Sequence, residues 1–223
     1  AEALVRRIKP DGTIVSPIDF IPVYEKSGLI SRLDRYIWEQ AAAKLGEWKK
    51  VGINMSISVN ISPKDFYYID IFNTFAGLVK KYDIEPSNLK IEITETTIMS
   101  DVPNLMGELE ELRKAGFTIE MDDFGSGYSS LNTLKDINVD VLKVDMGFIK
   151  ETKNVKKSRI ILASVIKMAK ELNLLIITEG VETEEQVDNL TKLGCDVFQG
   201  YYFSKAIDVN EFEKRYLYRK KAG

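Results

Sequence analysis

Two adjacent carboxylates follow an alternating apolar segment within Thr118 to Leu131 (TIEMDDFGSGYSSL). The pattern predicts a strand that ends at Asp122 and Asp123, a tight turn through Gly125 and Gly127, and the start of a helix. Carboxylates at the end of a strand are costly to bury without a partner, so a cation is their simplest neighbour. The alternative interpretation is that both aspartates only accept hydrogen bonds from loop amides.

The chain contains no histidine, which restricts the chemistry that these acids could serve. The usual zinc sites, serine triads and histidine general bases are excluded. A general base must then be a carboxylate or a lysine, and a metal site must be rich in oxygen ligands. Magnesium, manganese and calcium are the ions that suit such a site.

The 31 basic and 34 acidic residues are interspersed and give a formal net charge of -3. This balance makes polymeric nucleic acid and an anionic membrane surface poor partners. A small phosphorylated ligand is compatible with it, because bound metal ions can supply positive charge. The single cysteine, Cys195, excludes an intramolecular disulfide, no apolar run is long enough to span a bilayer, and no signal peptide is visible. We expect a cytoplasmic domain, although the full-length protein could be membrane-anchored.

Strand and helix patterns alternate along the chain without a linker. Apolar spacing predicts helices over Leu33–Lys50 and from about Val155 to Leu172. The segment LLIIT (174–178) is nearly continuous in apolar residues, as in a parallel sheet covered on both faces. About seven such units predict an α/β fold, a TIM-like (β/α)8 barrel whose first strand precedes Ala1. No GxGxxG motif follows the first strand, so a doubly wound sheet fits less well. We expect residues 1–223 to form a single, N-terminally truncated domain.

Start and stop signals predict the element boundaries. Thr183 with Gln186 predicts a capping box for one helix. Ser62-Pro63 predicts the start of a helix that runs towards Lys81, and the alternation in Glu2–Ile8 predicts a first strand.

In a parallel barrel, the carboxyl ends of the strands meet at one mouth. Each predicted strand ends with a polar group, and most of these groups are acidic. Each has a structural alternative: Asn60 could cap a turn, Lys143 could form an ion pair at the edge of the core, and Gln199 could bind loop amides. Independent structural roles at all strand ends would be a coincidence, so we interpret the set as a functional site. The strand-end residues are Glu2, Asn60, Glu92, Glu95, Asp122, Asp123, Lys143, Glu179, Glu182 and Gln199.

Metal-assisted hydrolysis is the chemistry that this set suits. Two hard cations held by carboxylates and the Asn60 carbonyl can bridge a water, lower its pKa and polarise a phosphoryl oxygen. Lys143 would then hold the water or stabilise the charge that develops on phosphorus. Because the chain has no histidine, Glu179 is the natural candidate for general base, and Gln199 would orient Glu179 or a ligand.

Seven short motifs occur in chain order: EALVR (2–6), SVNIS (58–62), EITE (92–95), DDFGSGYSSL (122–131), LKVD (142–145), EGVET (179–183) and QGYYFSK (199–205). Together they resemble the EAL domain, a family of cyclic di-GMP phosphodiesterases. The resemblance covers essentially the whole chain and implies a barrel whose first strand runs antiparallel to the rest. It also implies hydrolysis of cyclic di-GMP to linear 5′-pGpG with magnesium or manganese.

The resemblance implies a role at the metal site for four acids and one asparagine. Glu2, Asn60, Glu92 and Asp122 match the metal ligands of the family. Asp123 matches the residue that serves the second of two ions.

The remaining matches concern catalysis, substrate and loop support. Lys143 matches the lysine that contacts the catalytic water, and Glu179 matches a glutamate assigned as base or metal ligand. Gln199 matches the glutamine beside it, and Arg6 matches the arginine that contacts a substrate phosphate. The two glutamates that match or resemble loop supports are Glu95 and Glu182.

The resemblance also implies partners: cyclic di-GMP, a second copy of the chain bound through the loop after Asp123, and upstream sensory or GGDEF domains. Two alternatives stay open. One is a receptor that binds cyclic di-GMP without cleaving it, and the other is a regulatory or dimerisation module. Receptors of this kind typically lack one or more of the acidic positions, and this chain retains all of them.

Overall fold

The computed structural model describes residues 1–100, 102–125, 134–145, 147 and 155–218. The chain divides into two compact units, which are described in turn: residues 1–143 with 173–175, and residues 144–172 with 176–223. The single domain over the whole chain stays a prediction.

The first unit begins with a hairpin instead of the predicted continuous strand over Glu2–Ile8. Glu2 forms an isolated parallel bridge with Ser58, whereas β1 (Arg7–Ile8) pairs antiparallel with β2 (Ile14–Val15). The chain reverses because Gly12 adopts a φ of 84°, a conformation that favours glycine. The pairing partner therefore changes between Glu2 and Arg7, within the segment that was predicted as one strand.

Four neighbouring strands of the same unit run parallel: β3 (Ile57–Asn60), β4 (Leu89–Thr94), β5 (Ile119–Asp122) and the start of β6 (Val141–Asp145). Their register places Asn60 beside Glu92 and Glu92 beside Glu120. Since successive side chains of a strand alternate between its faces, the apolar residues face away from this polar row. In β3, β4 and β5 the buried apolar positions are Ile57, Val59, Leu89, Ile91, Ile93, Ile119 and Met121.

Helices flank these strands, and one of them departs from the predicted boundaries. The helix predicted from Ser62-Pro63 towards Lys81 is broken in two at Ile69 and Asp70. The Asp70 carboxylate accepts a hydrogen bond from the Asn73 amide at 3.0 Å and so starts a new helix. The helices are α1 (Pro17–Ser27), α2 (Ile30–Lys50), α3 (Asp65–Tyr68), α4 (Ile71–Tyr82), α5 (Glu95–Met99) and α6 (Leu105–Lys114).

An aromatic cluster attaches these helices to the end of β3. The ring centroids of Trp38 and Phe75 lie 4.9 Å apart, and those of Phe75 and Phe117 lie 5.8 Å apart. Trp38 Nε1 also donates a hydrogen bond to the Asn60 carbonyl oxygen at 2.9 Å. The indole therefore fixes the backbone of Asn60, the predicted strand-end residue.

The second unit repeats the strand and helix pattern. It contains helix Val155–Glu171, most of β7 (Leu175–Glu179), helix Glu184–Leu193, β8 (Val197–Phe198) and helix Val209–Phe212. Strand β7 pairs parallel with β8, and Thr183 with Gln186 forms the predicted capping box. In the described part of the chain, no helix is long and apolar enough to cross a membrane.

A pair of acids lies next to the loop that follows β3. Asp65 is fully buried and accepts a hydrogen bond from the Ser62 amide at 2.8 Å. Burial, together with the charge of Asp65, raises the pKa of Asp34 on α2 to about 9. The folded protein thus holds a proton that the unfolded chain, with a pKa of 3.8, has released. This pair therefore destabilises the fold increasingly as the pH rises from about 4 to about 9.

The variant Asp34→Asn should gain stability relative to the wild type as the pH rises. Asparagine stays neutral, so we expect the difference in the free energy of unfolding to grow by about 2 kcal/mol between pH 5 and pH 9. Urea unfolding at both pH values measures this difference. The exposed Asp188 offers a matched control, Asp188→Asn. If the stability of both variants changed equally with pH, the raised pKa of Asp34 would be contradicted.

Candidate functional site

Five predicted residues converge around the ammonium of Lys143 in the first unit. Lys143 Nζ lies 2.9 Å from Glu92 Oε1, 3.3 Å from Asp122 Oδ1 and 3.8 Å from Glu2 Oε2. Asn60 Nδ2 donates a hydrogen bond to Glu2 Oε1 at 3.3 Å. The side chains of Lys143 and Glu92 are 1% exposed, and those of Glu2 and Asp122 are 14% exposed. The cluster is therefore buried at Lys143 and Glu92, and it is open to solvent at Asn60, which is exposed.

Strand alternation and register bring this cluster together. Asn60, Glu92 and Asp122 occupy alternate positions of three adjacent parallel strands and share one face with the polar row. Glu2 reaches the same place because the backbone on either side of it is paired with Ser58, with bonds of 2.9 and 2.8 Å. Backbone pairing between the strands therefore positions each of these ligand candidates.

The cluster carries more acid than one ammonium neutralises. Burial, together with the charges of Glu2 and Asp122, raises the pKa of Glu92 to about 9, although Lys143 opposes the shift. Glu92 Oε2 is buried and has no hydrogen-bond partner among the described residues. A buried carboxylate oxygen without a partner is costly, so the site is chemically prepared for an additional cation.

The side chains fit a hard divalent cation by type. Carboxylates and an amide carbonyl are the ligands that magnesium and manganese prefer. As placed, no group of three or more acidic or cysteine side chains in the described ranges could hold a metal ion, and the Lys143 ammonium lies among the three carboxylates. Binding of an ion would therefore compete with Lys143 for the same oxygens.

Asp123 lies beside this cluster, at the start of the turn. It adopts a left-handed conformation with φ 55°, and its amide donates a hydrogen bond to Asp122 Oδ1 at 2.9 Å. The next amide, of Phe124, donates to the Lys143 carbonyl oxygen at 3.2 Å, which joins the turn to β6. Asp123 itself is exposed. The rest of the predicted turn and helix start, from residue 126 to 133, lies outside the described residues.

Glu179 and Gln199 are neighbours in the second unit. They follow the paired residues Thr178 and Phe198, at the ends of β7 and β8. The Gln199 amide donates to the Thr178 carbonyl at 2.9 Å, and both Glu179 and Gln199 are half-buried. Glu182 is exposed, and its amide donates to Gln186 Oε1 at 2.7 Å.

Two further predicted residues, Arg6 and Glu95, belong to the first unit. Arg6 is exposed, and its Nη1 donates to the neighbouring Val5 carbonyl at 2.7 Å. Glu95 is 1% exposed and is the first residue of α5, whose N-cap Thr94 accepts from the Thr97 amide. Burial of Glu95 at a helix start is compatible with the predicted role as a loop support.

Three polar residues next to the cluster were not predicted: Ser58, Lys90 and Glu120. Glu120 Oε1 lies 2.8 Å from Lys90 Nζ, and Glu120 Oε2 accepts a hydrogen bond from Ser58 Oγ at 2.8 Å. Burial by itself would raise the pKa of Glu120, but the Lys90 ammonium and the Ser58 hydroxyl reverse this and hold it below its ordinary value. The alternation in LKIEIT and TIEMDD could have revealed the pair, because it places Lys90 and Glu120 on the face that carries Glu92 and Asp122.

Comparison with known proteins relates this arrangement to one family. The family described as "EAL domain" matches residues 1–206. The chain is 35% identical over 211 residues to "Bifunctional diguanylate cyclase/cyclic di-GMP phosphodiesterase MucR" of Pseudomonas aeruginosa, covering 94% of this chain and 31% of that protein. It is 32% identical over 221 residues to "Cyclic di-GMP phosphodiesterase PdeR" of Escherichia coli, covering 98% of this chain and 33% of that protein. The chain thus spans about a third of the length of these relatives.

Among solved structures, the chain resembles "PaMucR Phosphodiesterase, c-di-GMP complex". The TM-score is 0.87 at 34% identity, and the match covers 95% of this chain and 86% of that one. This similarity confirms the predicted α/β, TIM-like fold class. With a family match across residues 1–206, the chain belongs to the EAL domain family.

Proposed function

We propose that the chain is a metal-dependent phosphodiesterase that hydrolyses cyclic di-GMP to linear 5′-pGpG. The observation that carries the proposal is the convergence of Glu2, Glu92 and Asp122 on Lys143 at the ends of adjacent strands. The names of MucR and PdeR, and the complex of MucR with cyclic di-GMP, support the choice of substrate.

Two magnesium or manganese ions are the proposed cofactors. Glu2, Asn60, Glu92 and Asp122 would hold one ion, and Asp123, which adjoins Asp122, would contribute to the second. When bound, such ions lower the pKa of a water molecule and offset the charge on a phosphoryl group.

The chain's own side chains would orient and deprotonate the attacking water. The Lys143 ammonium is held at a fixed position by its acidic neighbours, so it can donate a hydrogen bond to that water or to the phosphoryl oxygen. Glu179 would accept the proton, and Gln199 would orient Glu179 from the neighbouring strand. Arg6 would bind a phosphate of the substrate, while Glu95 and Glu182 would support loops.

Incubation of the protein with cyclic di-GMP and Mn²⁺ or Mg²⁺ tests the proposal. We expect 5′-pGpG, identified by liquid chromatography and mass spectrometry, and no product with a chelator. Glu179→Gln should lower the turnover by about 100-fold or more, because it removes the base. The exposed Glu184 offers the matched control Glu184→Gln.

The outcomes separate the alternatives. Tight binding of cyclic di-GMP without product would show that the chain is a receptor and would contradict the proposed hydrolysis. Neither binding nor product would leave a regulatory or dimerisation module. Full turnover by Glu179→Gln would refute the assignment of the base and leave the phosphodiesterase in place.

We also propose that the domain acts as a homodimer joined to upstream sensory or GGDEF domains. The name of MucR, which includes a diguanylate cyclase activity, and the threefold greater length of both relatives support the upstream domains. Sedimentation of an active monomer at high protein concentration would contradict the homodimer. The cytoplasmic location stays a prediction.

A further inference from the structure

A second ionic group lies directly beside the ligand candidates, and none of the roles proposed above uses it. The group consists of Ser58 on β3, Lys90 on β4 and Glu120 on β5, and is called here the ionic floor. Glu120 is the lateral neighbour of Glu92 in the register between β4 and β5. Ser58 is the lateral neighbour of Lys90 between β3 and β4.

Both carboxylate oxygens of Glu120 are engaged within the floor. One lies 2.8 Å from Lys90 Nζ, and the other accepts the Ser58 hydroxyl at 2.8 Å. Glu120 is 1% exposed and Ser58 is 7% exposed, so these contacts are shielded from water. Buried and well-directed contacts of this kind fix side-chain orientation more firmly than surface pairs do.

The contacts also join three neighbouring strands. Each of these strands carries a ligand candidate two residues after its floor residue: Asn60 after Ser58, Glu92 after Lys90, and Asp122 after Glu120. A shift of one strand along its neighbour would break the floor and misplace the ligand candidate that follows it. The ionic floor therefore ties the register of the three strands to the positions of the ligand candidates.

Glu120 lies directly beside Glu92 on the neighbouring strand, within reach of a hydrogen bond between the two side chains. When a bound cation keeps Glu92 ionised, the two carboxylates would repel each other. Lys90 offsets the charge of Glu120 and holds it toward β3, so Glu120 neither displaces Glu92 nor takes its place as a ligand. Glu92 is then left to the cluster that contains Lys143, at 2.9 Å.

We propose that Lys90 and Glu120, with Ser58, are positioning residues that hold Glu92 in the orientation required to bind the divalent cation. This inference rests on the proposed metal site. It does not depend on whether cyclic di-GMP is cleaved, because it concerns the affinity for the ion alone. Groups that orient metal ligands typically change metal affinity by about 10- to 100-fold when they are removed.

The experiment is a calorimetric titration of Mn²⁺ without nucleotide into the wild type, Lys90→Met, Glu120→Gln and the double variant. Positioning predicts that each single substitution weakens binding by about tenfold. It also predicts that the double variant is no weaker than either single variant, because the two residues act as one unit. The conservative variant Lys90→Arg should bind Mn²⁺ nearly as the wild type does.

If Lys90 and Glu120 acted on the cation only through their charges, the result would differ. Removing the lysine would then strengthen cation binding, and removing the glutamate would weaken it. Opposite shifts in the two single variants would therefore overturn the proposal. Unchanged Mn²⁺ affinity in both single variants, with lower stability in urea, would also overturn the proposal. It would show that Lys90 and Glu120 only form an ion pair that stabilises the core. If the wild type bound no Mn²⁺, the metal site and the inference would fail together, whereas binding without cleavage of cyclic di-GMP would affect only the proposed function.

Discussion

Replacement of Lys143 by methionine should lower the turnover of cyclic di-GMP by about 100- to 1000-fold and destabilise the metal-free protein. The first effect follows from the loss of a fixed donor at the site of developing charge. The second follows from the geometry, because Glu92, Asp122 and Glu2 lie 2.9, 3.3 and 3.8 Å from the removed ammonium. Breaking such a buried network by removing one partner typically costs about 3–5 kcal/mol.

Mn²⁺ should recover a large part of this stability, because the ion would replace the missing positive charge. Thermal unfolding with a chelator and with Mn²⁺ measures the recovery. Lys114→Met is the matched control, since that side chain is 72% exposed and lies 3.7 Å from a single acid, Glu110. An equal loss of stability with and without Mn²⁺, or retained turnover, would contradict the role of Lys143.

Glu92→Gln should affect activity and stability in opposite directions. Turnover should fall because glutamine removes a charged ligand. The metal-free protein, however, should become more stable than the wild type as the pH rises. The pKa of Glu92 is raised from 4.5 to about 9 in the folded protein by burial and by Glu2 and Asp122. The stability that the wild type has below about pH 4.5 is therefore lost as the pH approaches 9, whereas glutamine stays neutral.

Urea unfolding of the metal-free proteins at pH 5 and pH 9 tests the direction of this pH dependence. The free energy of unfolding of the variant relative to the wild type should increase by about 1–2 kcal/mol between these pH values. Glu47→Gln provides a control, because its side chain is 62% exposed. A relative stability of Glu92→Gln that falls as the pH rises would show that Lys143 keeps Glu92 ionised without a metal.

Alternation indicates which face a side chain occupies, and turn signals indicate where a strand ends. Part of the predicted set, Glu2, Asn60, Glu92, Asp122 and Lys143, lies together for that reason, and the roles of these residues stay predictions. The ionic floor needed more information, since the contact between Lys90 and Glu120 depends on the register between β4 and β5. Register arises from the pairing of two distant segments, and neither segment specifies it alone.

Local competition explains the boundary errors. The apolar spacing after Ser62 continues across Asp70, but the Asp70 carboxylate captures the Asn73 amide and restarts the helix. At the N-terminus, the alternation in Glu2–Ile8 continues, but Glu2 pairs with Ser58 whereas Arg7 and Ile8 pair with the second strand of the hairpin. In both places local hydrogen bonding outweighed the periodic pattern.

The most direct test of the proposed metal site is a calorimetric titration of Mn²⁺ into the wild type and into Glu92→Gln, both at the same pH. If Glu2, Asn60, Glu92 and Asp122 hold a divalent cation, the wild type should bind Mn²⁺ and the variant should bind it at least about tenfold more weakly. Equal affinity in the two proteins, or no binding by the wild type, would contradict the assignment of this cluster as the metal site.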